Sequence, residues 1–344
     1  MRTALVLISL ALACGDDDGA SDSGVDAGRD APGTDAPGTD APGTDAPGTD
    51  TSTDGGADDA GMGPNVDRTD PQLWEHELQP EALDPSVVDN IETQYAQLDT
   101  RVEPVGKLVF FLSGYTNVPR SWRDHGRMLA SFGFHVVLPH YNNHWDSGGC
   151  SGMGGDCNEN TRWEALTGED ASSVIEASRA DSAEGRVITM LEHLVTAHPG
   201  GDWGYYLQDG ALRDEHVIIA GISHGASSTG LFASRRTFHR AVMHSGGWWR
   251  VPDDPATPID RWYGLSHTDD DQHAGHLDTW AGAGMLGSPT SIDGATRPYG
   301  DARQLITSVA NGYPHCSVVV HPDSPRDGES YVYEPAWRTM YGVD

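Results

Sequence analysis

The stretch that decides the fold is His216-Val217-Ile218-Ile219-Ala220, followed by Gly221-Ile222-Ser223-His224-Gly225 and then by the small residues Ala226-Ser227-Ser228-Thr229-Gly230. An apolar run that stops at a glycine, with a second glycine four residues on, reads as strand, sharp turn, helix. The two glycines let the turn be tight and let the helix pack close to the strand. Such a turn lifts the Ser223 hydroxyl to the top of a sheet, beside the positive end of the new helix. In a chain with 42 glycines the five-residue pattern is weak by itself, and its weight depends on what surrounds it.

Working outward, Lys107 to Leu112 is a continuous apolar run, as expected of a strand buried on both faces. Trp122 to Phe132 follows at helical spacing, with Trp122, Met128, Leu129 and Phe132 on one side, and Phe134 to Pro139 is the next buried strand. Strand, helix, strand at this distance means a parallel crossover. A long helix is expected near Asp181 to His198, closed by Pro199-Gly200-Gly201. Further strands are expected at Arg240–His244, at Trp262–Ser266 and last at Arg303–Ser308, while residues 71–100 read as a lead-in with the first edge strands. The whole is an α/β chain: an open, mostly parallel sheet with helices on both faces. Ligands in such sheets sit at the carboxyl ends of the strands.

The 344 residues divide into three parts. Residues 1–13 read as a short secretory signal, too short to span a bilayer. Leu10-Ala11-Leu12-Ala13-Cys14 resembles a bacterial lipobox, which implies acylation of Cys14 and an exported lipoprotein held at a membrane facing the periplasm or cell surface. Residues 14–66 are a linker in which Asp30-Ala31-Pro32-Gly33-Thr34 is repeated four times in tandem. Its composition leaves too little apolar surface to fold, and its carboxylates keep it extended. Residues 67–344 are the folded α/β domain. Net charge is −31, of which residues 1–70 carry −12 and the remainder −19. An acidic folded part excludes nucleic acid as a partner and excludes electrostatic attachment to anionic lipid, leaving the N-terminal anchor as the membrane contact.

Four cysteines are present. Cys14 is the lipid candidate. Cys150 and Cys157 share a glycine-rich loop, and export favours a local disulfide between them. Cys316 is left over and is expected to be a buried thiol.

Serine-based hydrolysis needs a base, a group that orients the base, and donors for the oxyanion. With Ser223 as nucleophile, acid and base should follow it in the chain and lie at strand ends. His315, in the loop after the last core strand, is the first choice for the base, with His321 as the alternative. Asp269-Asp270-Asp271 follows the strand that ends near Ser266 and supplies the acid, and position alone does not separate the three. His267, His273 and His276 flank these carboxylates, but without a recognised metalloenzyme spacing. The oxyanion donors are expected to be the backbone N–H groups of His224 and Tyr115, with Gly114 allowing close approach. Trp248 and Trp249, after Gly246-Gly247, are candidate walls of a substrate pocket, with core packing as the other reading.

From about residue 105 onward the chain resembles the α/β-hydrolase superfamily, and more narrowly a family of exported bacterial α/β hydrolases. The resemblance rests on the Ser223 pentapeptide, Cys150 and Cys157 followed by Arg162, Ser178-Arg179-Ala180-Asp181-Ser182, Tyr263-Gly264-Leu265-Ser266-His267-Thr268, Pro314-His315 and Pro335-Ala336-Trp337. It implies that the triad acid is Asp270 and the histidine His315. Relatives often carry His and Gln around the serine, where this chain has Ile222 and His224. The expected function is carboxylic ester hydrolysis through an acyl-enzyme, on a small-molecule or polymeric ester, with no metal or organic cofactor. The alternatives are a non-catalytic surface binding module on the same fold, or an amidase or peptidase using the same triad.

Overall fold

The computed structural model describes residues 63–145 and 147–343. The signal-like segment, the lipid-candidate Cys14 and nearly all of the repeat-bearing linker lie outside them. Where the described chain begins, Val66 already packs against the core and Asp67 N donates to Gly200 O at 2.7 Å.

The main sheet has nine strands: β1 (Leu73–Leu78), β2 (Gln94–Asp99), β3 (Leu108–Leu112), β4 (His135–Leu138), β5 (Val217–Ile222), β6 (Arg240–His244), β7 (Trp262–His267), β8 (Thr290–Ser291) and β9 (Gln304–Thr307). Their order across the sheet is β1-β2-β4-β3-β5-β6-β7-β9-β8. β2 runs antiparallel to both β1 and β4, and every other pairing is parallel. The strands expected from the apolar runs are all present, and residues 71–100 supply β1 at the edge of the sheet and β2 between β1 and β4. The two-residue β8 has no apolar run to announce it.

The continuous apolar character of β3 has a direct packing cause. Leu108, Phe110 and Leu112 enter a core with helices α2 (Cys157–Thr167), α3 (Ala183–Ala197) and α4 (His224–Arg235). Val109 and Phe111 point the other way, into a core with α1 (Arg123–Ser131) and α6 (Glu334–Tyr341). Successive strand residues face opposite sides, so a strand covered on both must be apolar at every position. The Ser182 side chain caps α3 by accepting from Gly185 N at 3.1 Å. Among the described residues, no helix is long and apolar enough to cross a membrane.

Cys150 and Cys157 are bridged, as expected, with an S–S distance of 2.06 Å. Cys316 corrects the sequence reading. It is buried, but it is disulfide-bonded rather than a free thiol.

Candidate active site

Five parallel strands end at one edge of the sheet, and each is followed by one of the residues singled out above. β3 leads to Gly114 and Tyr115, β5 to Ser223, β6 to Gly246, β7 to Asp270, and β9 to His315. Ser223 itself sits between strand and helix at φ 55°, ψ −120°, a region that costs a non-glycine residue energy. Thr116 (φ 57°) and Ser245 (φ 43°), in the neighbouring loops, are also left-handed. Three left-handed non-glycine residues therefore lie in the loops at this edge.

The elbow glycines are required by space. A Cβ at Gly225 would lie 2.2 Å from the Leu112 carbonyl oxygen, and one at Gly221 would lie 2.6 Å from the Gly225 backbone. Helix and strand touch backbone to backbone, which is what holds Ser223 up. Ser223 N donates to His244 O at 2.9 Å, tying the turn to the end of β6. Ser223 is partly exposed, and among the described residues its hydroxyl has no hydrogen-bond partner. The His224 N–H opens α4, so the helix offers it no acceptor.

Of the three adjacent carboxylates, Asp269 and Asp271 are exposed and Asp270 is buried. Asp270 Oδ2 lies 2.7 Å from His315 Nδ1, and its Oδ1 accepts from Gln272 N at 2.9 Å. Burial pushes the Asp270 carboxyl up, but the hydrogen bond from His315, the neighbouring imidazoles and the Gln272 N–H together hold it below its ordinary value. The alternative base, His321, accepts from Asp323 N at its Nδ1, at 3.2 Å.

The loop that carries Tyr115 is clamped by residues that the sequence reading passed over. Asn143 Nδ2 donates to Gly114 O at 2.6 Å and to Asn117 O at 2.8 Å. Tyr141 OH donates to Ser113 O at 3.0 Å. Two neighbouring amides on a turn after β4 were the available signal, but their partners lie more than twenty residues away in sequence. Gly114 is close-packed too, since a Cβ there would meet Asn117 Oδ1 at 2.9 Å and the Ser223 side chain at 3.5 Å.

His276 is a second histidine beside the acid, with Nδ1 3.9 Å from Asp270 Oδ2. Burial lowers its pKa to about 3 despite the Asp270 charge, so it is neutral at pH 7. Asp270, His276 and His315 offer ligand atoms within 4.8 Å of one another, a set that a metal ion could use. His267 has both ring nitrogens engaged, one with Val309 O and one with Asp269 N. His273 and His276 share the Ser266 hydroxyl at 2.9 Å each.

Trp248 and Trp249 part company. Trp248 is 1% exposed and belongs to the core, while Trp249 is 52% exposed and leans on it with tilted rings, centroids 4.3 Å apart. His224 extends its ring toward Trp145, with centroids 4.8 Å apart. Burial and the neighbouring Arg162 charge push His224 well below the usual histidine range.

Strand order, the reversed β2, the helices on both faces and the elbow after β5 define an α/β-hydrolase fold. No model of a known protein family matches the sequence, and no curated protein is detectably similar to it. Among solved structures, the chain is similar to esterase B from Lactobacillus rhamnosis, inhibited by a tributyrin phosphonate (12% identity, TM-score 0.44, 79% of this chain and 86% of that one). It is also similar to acetyl xylan esterase from Aspergillus awamori (12% identity, TM-score 0.40, 78% and 99%) and to a bacterial heroin esterase (10% identity, TM-score 0.37, 81% and 85%).

Proposed function

We propose that the protein is a serine hydrolase acting on carboxylic esters, with Ser223 as nucleophile, His315 as base and Asp270 as the group that orients it. The observation that carries this reading is the 2.7 Å contact of Asp270 Oδ2 with His315 Nδ1, at the sheet edge where the strained elbow presents Ser223. A carboxylate on Nδ1 fixes the tautomer that leaves Nε2 as the proton acceptor.

In the reaction, Ser223 Oγ attacks the ester carbonyl carbon as His315 Nε2 takes its proton. The tetrahedral oxyanion is held by the N–H groups of His224 and Tyr115. Its collapse expels the alcohol, which leaves with the proton from His315. Water, deprotonated by the same imidazole, then attacks the acyl-enzyme and releases the acid and Ser223. Asp270 stays ionised throughout and stabilises the imidazolium. The hydrogen bond between hydroxyl and imidazole is required in the Michaelis complex, and such a contact is often loose in unliganded enzymes.

A fluorophosphonate probe tests the reading. Wild-type protein should be labelled and should turn over a short-chain ester such as p-nitrophenyl butyrate. Ser223→Ala should lose the label and roughly 10³-fold or more of the turnover. Equal labelling of that variant would remove Ser223 from the mechanism. Matched anilides run beside the esters separate ester from amide cleavage.

A further inference from the structure

Helix α2 lies against α4, the helix that begins at the elbow, and is anchored at its first residue by the Cys150–Cys157 bridge. Its central residue, Arg162, is 6% exposed and points at the first turns of α4. Nη1 donates to His224 O and to Ser228 Oγ, both at 2.9 Å, and Nε donates to Asn158 Oδ1 at 3.0 Å. The guanidinium stands over Trp145 at 4.9 Å and beside Trp248 at 5.9 Å. Among the described residues no carboxylate pairs with it, and its second terminal nitrogen, Nη2, makes no hydrogen bond. The other deeply buried arginine on this face of the sheet is handled differently: Arg186 is bonded to Asp181 at 3.0 Å.

An interior cation without a counter-ion is costly. Burial lowers the Arg162 pKa to about 10, and only the Tyr141 hydroxyl opposes this, so the group stays charged at neutral pH. The surroundings hold unused donors: the indole nitrogens of Trp145 and Trp248 have no partner, and the neutral His224 ring beside them carries one N–H. This cluster adjoins the nucleophile. His224 follows Ser223, and Gly246, two residues before Trp248, is so close to the elbow that a Cβ there would lie 2.7 Å from Ser223 O. The rest of the molecule is acidic, so an unpaired cation beside the serine selects a single anionic group rather than a polyanion.

We propose that Arg162 is the residue that reads the substrate, and that the ester hydrolysed at Ser223 carries a carboxylate group which binds Nη2 of Arg162 against the faces of Trp145 and Trp248. The proposal rests on the serine-hydrolase reading for its chemistry but not for its binding site.

Two matched pairs test it. p-Nitrophenyl hemiglutarate against p-nitrophenyl valerate places the charge on the acyl side. 4-Acetoxybenzoate against 4-acetoxybenzamide places it on the alcohol side. In one pair, wild-type kcat/KM should favour the carboxylate by about tenfold or more, as expected of a charge-assisted hydrogen bond. Arg162→Gln should bring that ratio to one or below. Ratios at or below one in both pairs with wild-type protein overturn the proposal, as does a preference that survives in Arg162→Gln. If circular dichroism shows that variant unfolded, Arg162→Lys replaces it, with the preference expected to shrink at least severalfold because a point charge lacks the guanidinium fork.

Binding is read separately on Ser223→Ala protein, which needs no catalysis. Monomethyl glutarate should raise its Tm, and dimethyl glutarate should not. A shift with both or with neither also overturns the proposal, whereas a shift without wild-type turnover would retain the anion site and reject the hydrolase reading.

Discussion

Asp270 shows how one residue among three like neighbours acquires a role. Its carboxyl is taken out of water and given the His315 imidazole, the Gln272 N–H and the nearby His276 ring in exchange, while Asp269 and Asp271 stay in solvent. Asp270→Asn should therefore present an amide to His315 Nδ1, disturb the tautomer, and lower kcat by roughly 10³ to 10⁴-fold. Asp269→Asn and Asp271→Asn should each change kcat/KM by less than about threefold. Equal losses from all three, in a p-nitrophenyl butyrate assay, would mean that the whole loop matters and not one carboxylate. Sequence position narrowed the acid to this trio, the family resemblance pointed to Asp270, and burial separates its members in the fold. The same holds for the base, where His315 and His321 differ by a turn of chain but not in local composition.

At the level of the element, the elbow is held by backbone contact and so should be sensitive to a single methyl group. Gly225→Ala would set its Cβ 2.2 Å from the Leu112 carbonyl, a clash that neither strand nor helix can relieve by rotamer change. A loss of about 3 kcal/mol or more in urea unfolding is expected. Gly275, exposed in helix α5 (His273–Gly282) with open space around it, is the control. There alanine should stabilise by about 0.5–1 kcal/mol, by removing glycine's extra freedom from the unfolded chain. The contrast explains what was legible in the sequence. Elements built from runs or from glycine spacing (β3, β4, β5, β6, α3 and the elbow) could be read, because local pattern and tertiary demand coincide there. The Asn143 clamp and the contacts of Arg162 could not be read. Each joins residues from different elements, and no periodicity marks a polar side chain whose partner is distant in sequence.

Across the whole molecule, the sheet is built around an unusual number of neutral histidines, and this makes acid its weak side. Burial lowers His135 to about 4 and His244 and His276 to about 3, from an ordinary value of 6.5. His135 is kept in place by Gly201 O at 2.7 Å and by Tyr206 OH at 2.8 Å, and His244 by the Tyr341 hydroxyl at 3.3 Å. In the unfolded chain each would take up a proton near pH 6.5, while in the native fold each refuses it until about pH 3 to 4. The unfolded state thus binds more protons throughout that window, and stability rises with pH across it. Each fully buried histidine should remove about 1.4 kcal/mol per pH unit once the pH falls below 6. Three acting together are enough to consume the stability of an ordinary domain within a few units. Asp270 adds to the same trend only lower down: its depressed pKa gives stability that is present above the ordinary carboxylate value and is lost as pH falls through the folded one. Calorimetric Tm should therefore be highest near neutrality and fall steeply between pH 6 and 4, with net proton uptake on unfolding that His244→Asn or His135→Gln reduces by close to one proton. A Tm that holds level from pH 7 to pH 4.5 would mean that these rings are charged inside the fold, and the hydrogen bonds given to them here would have to be reassigned.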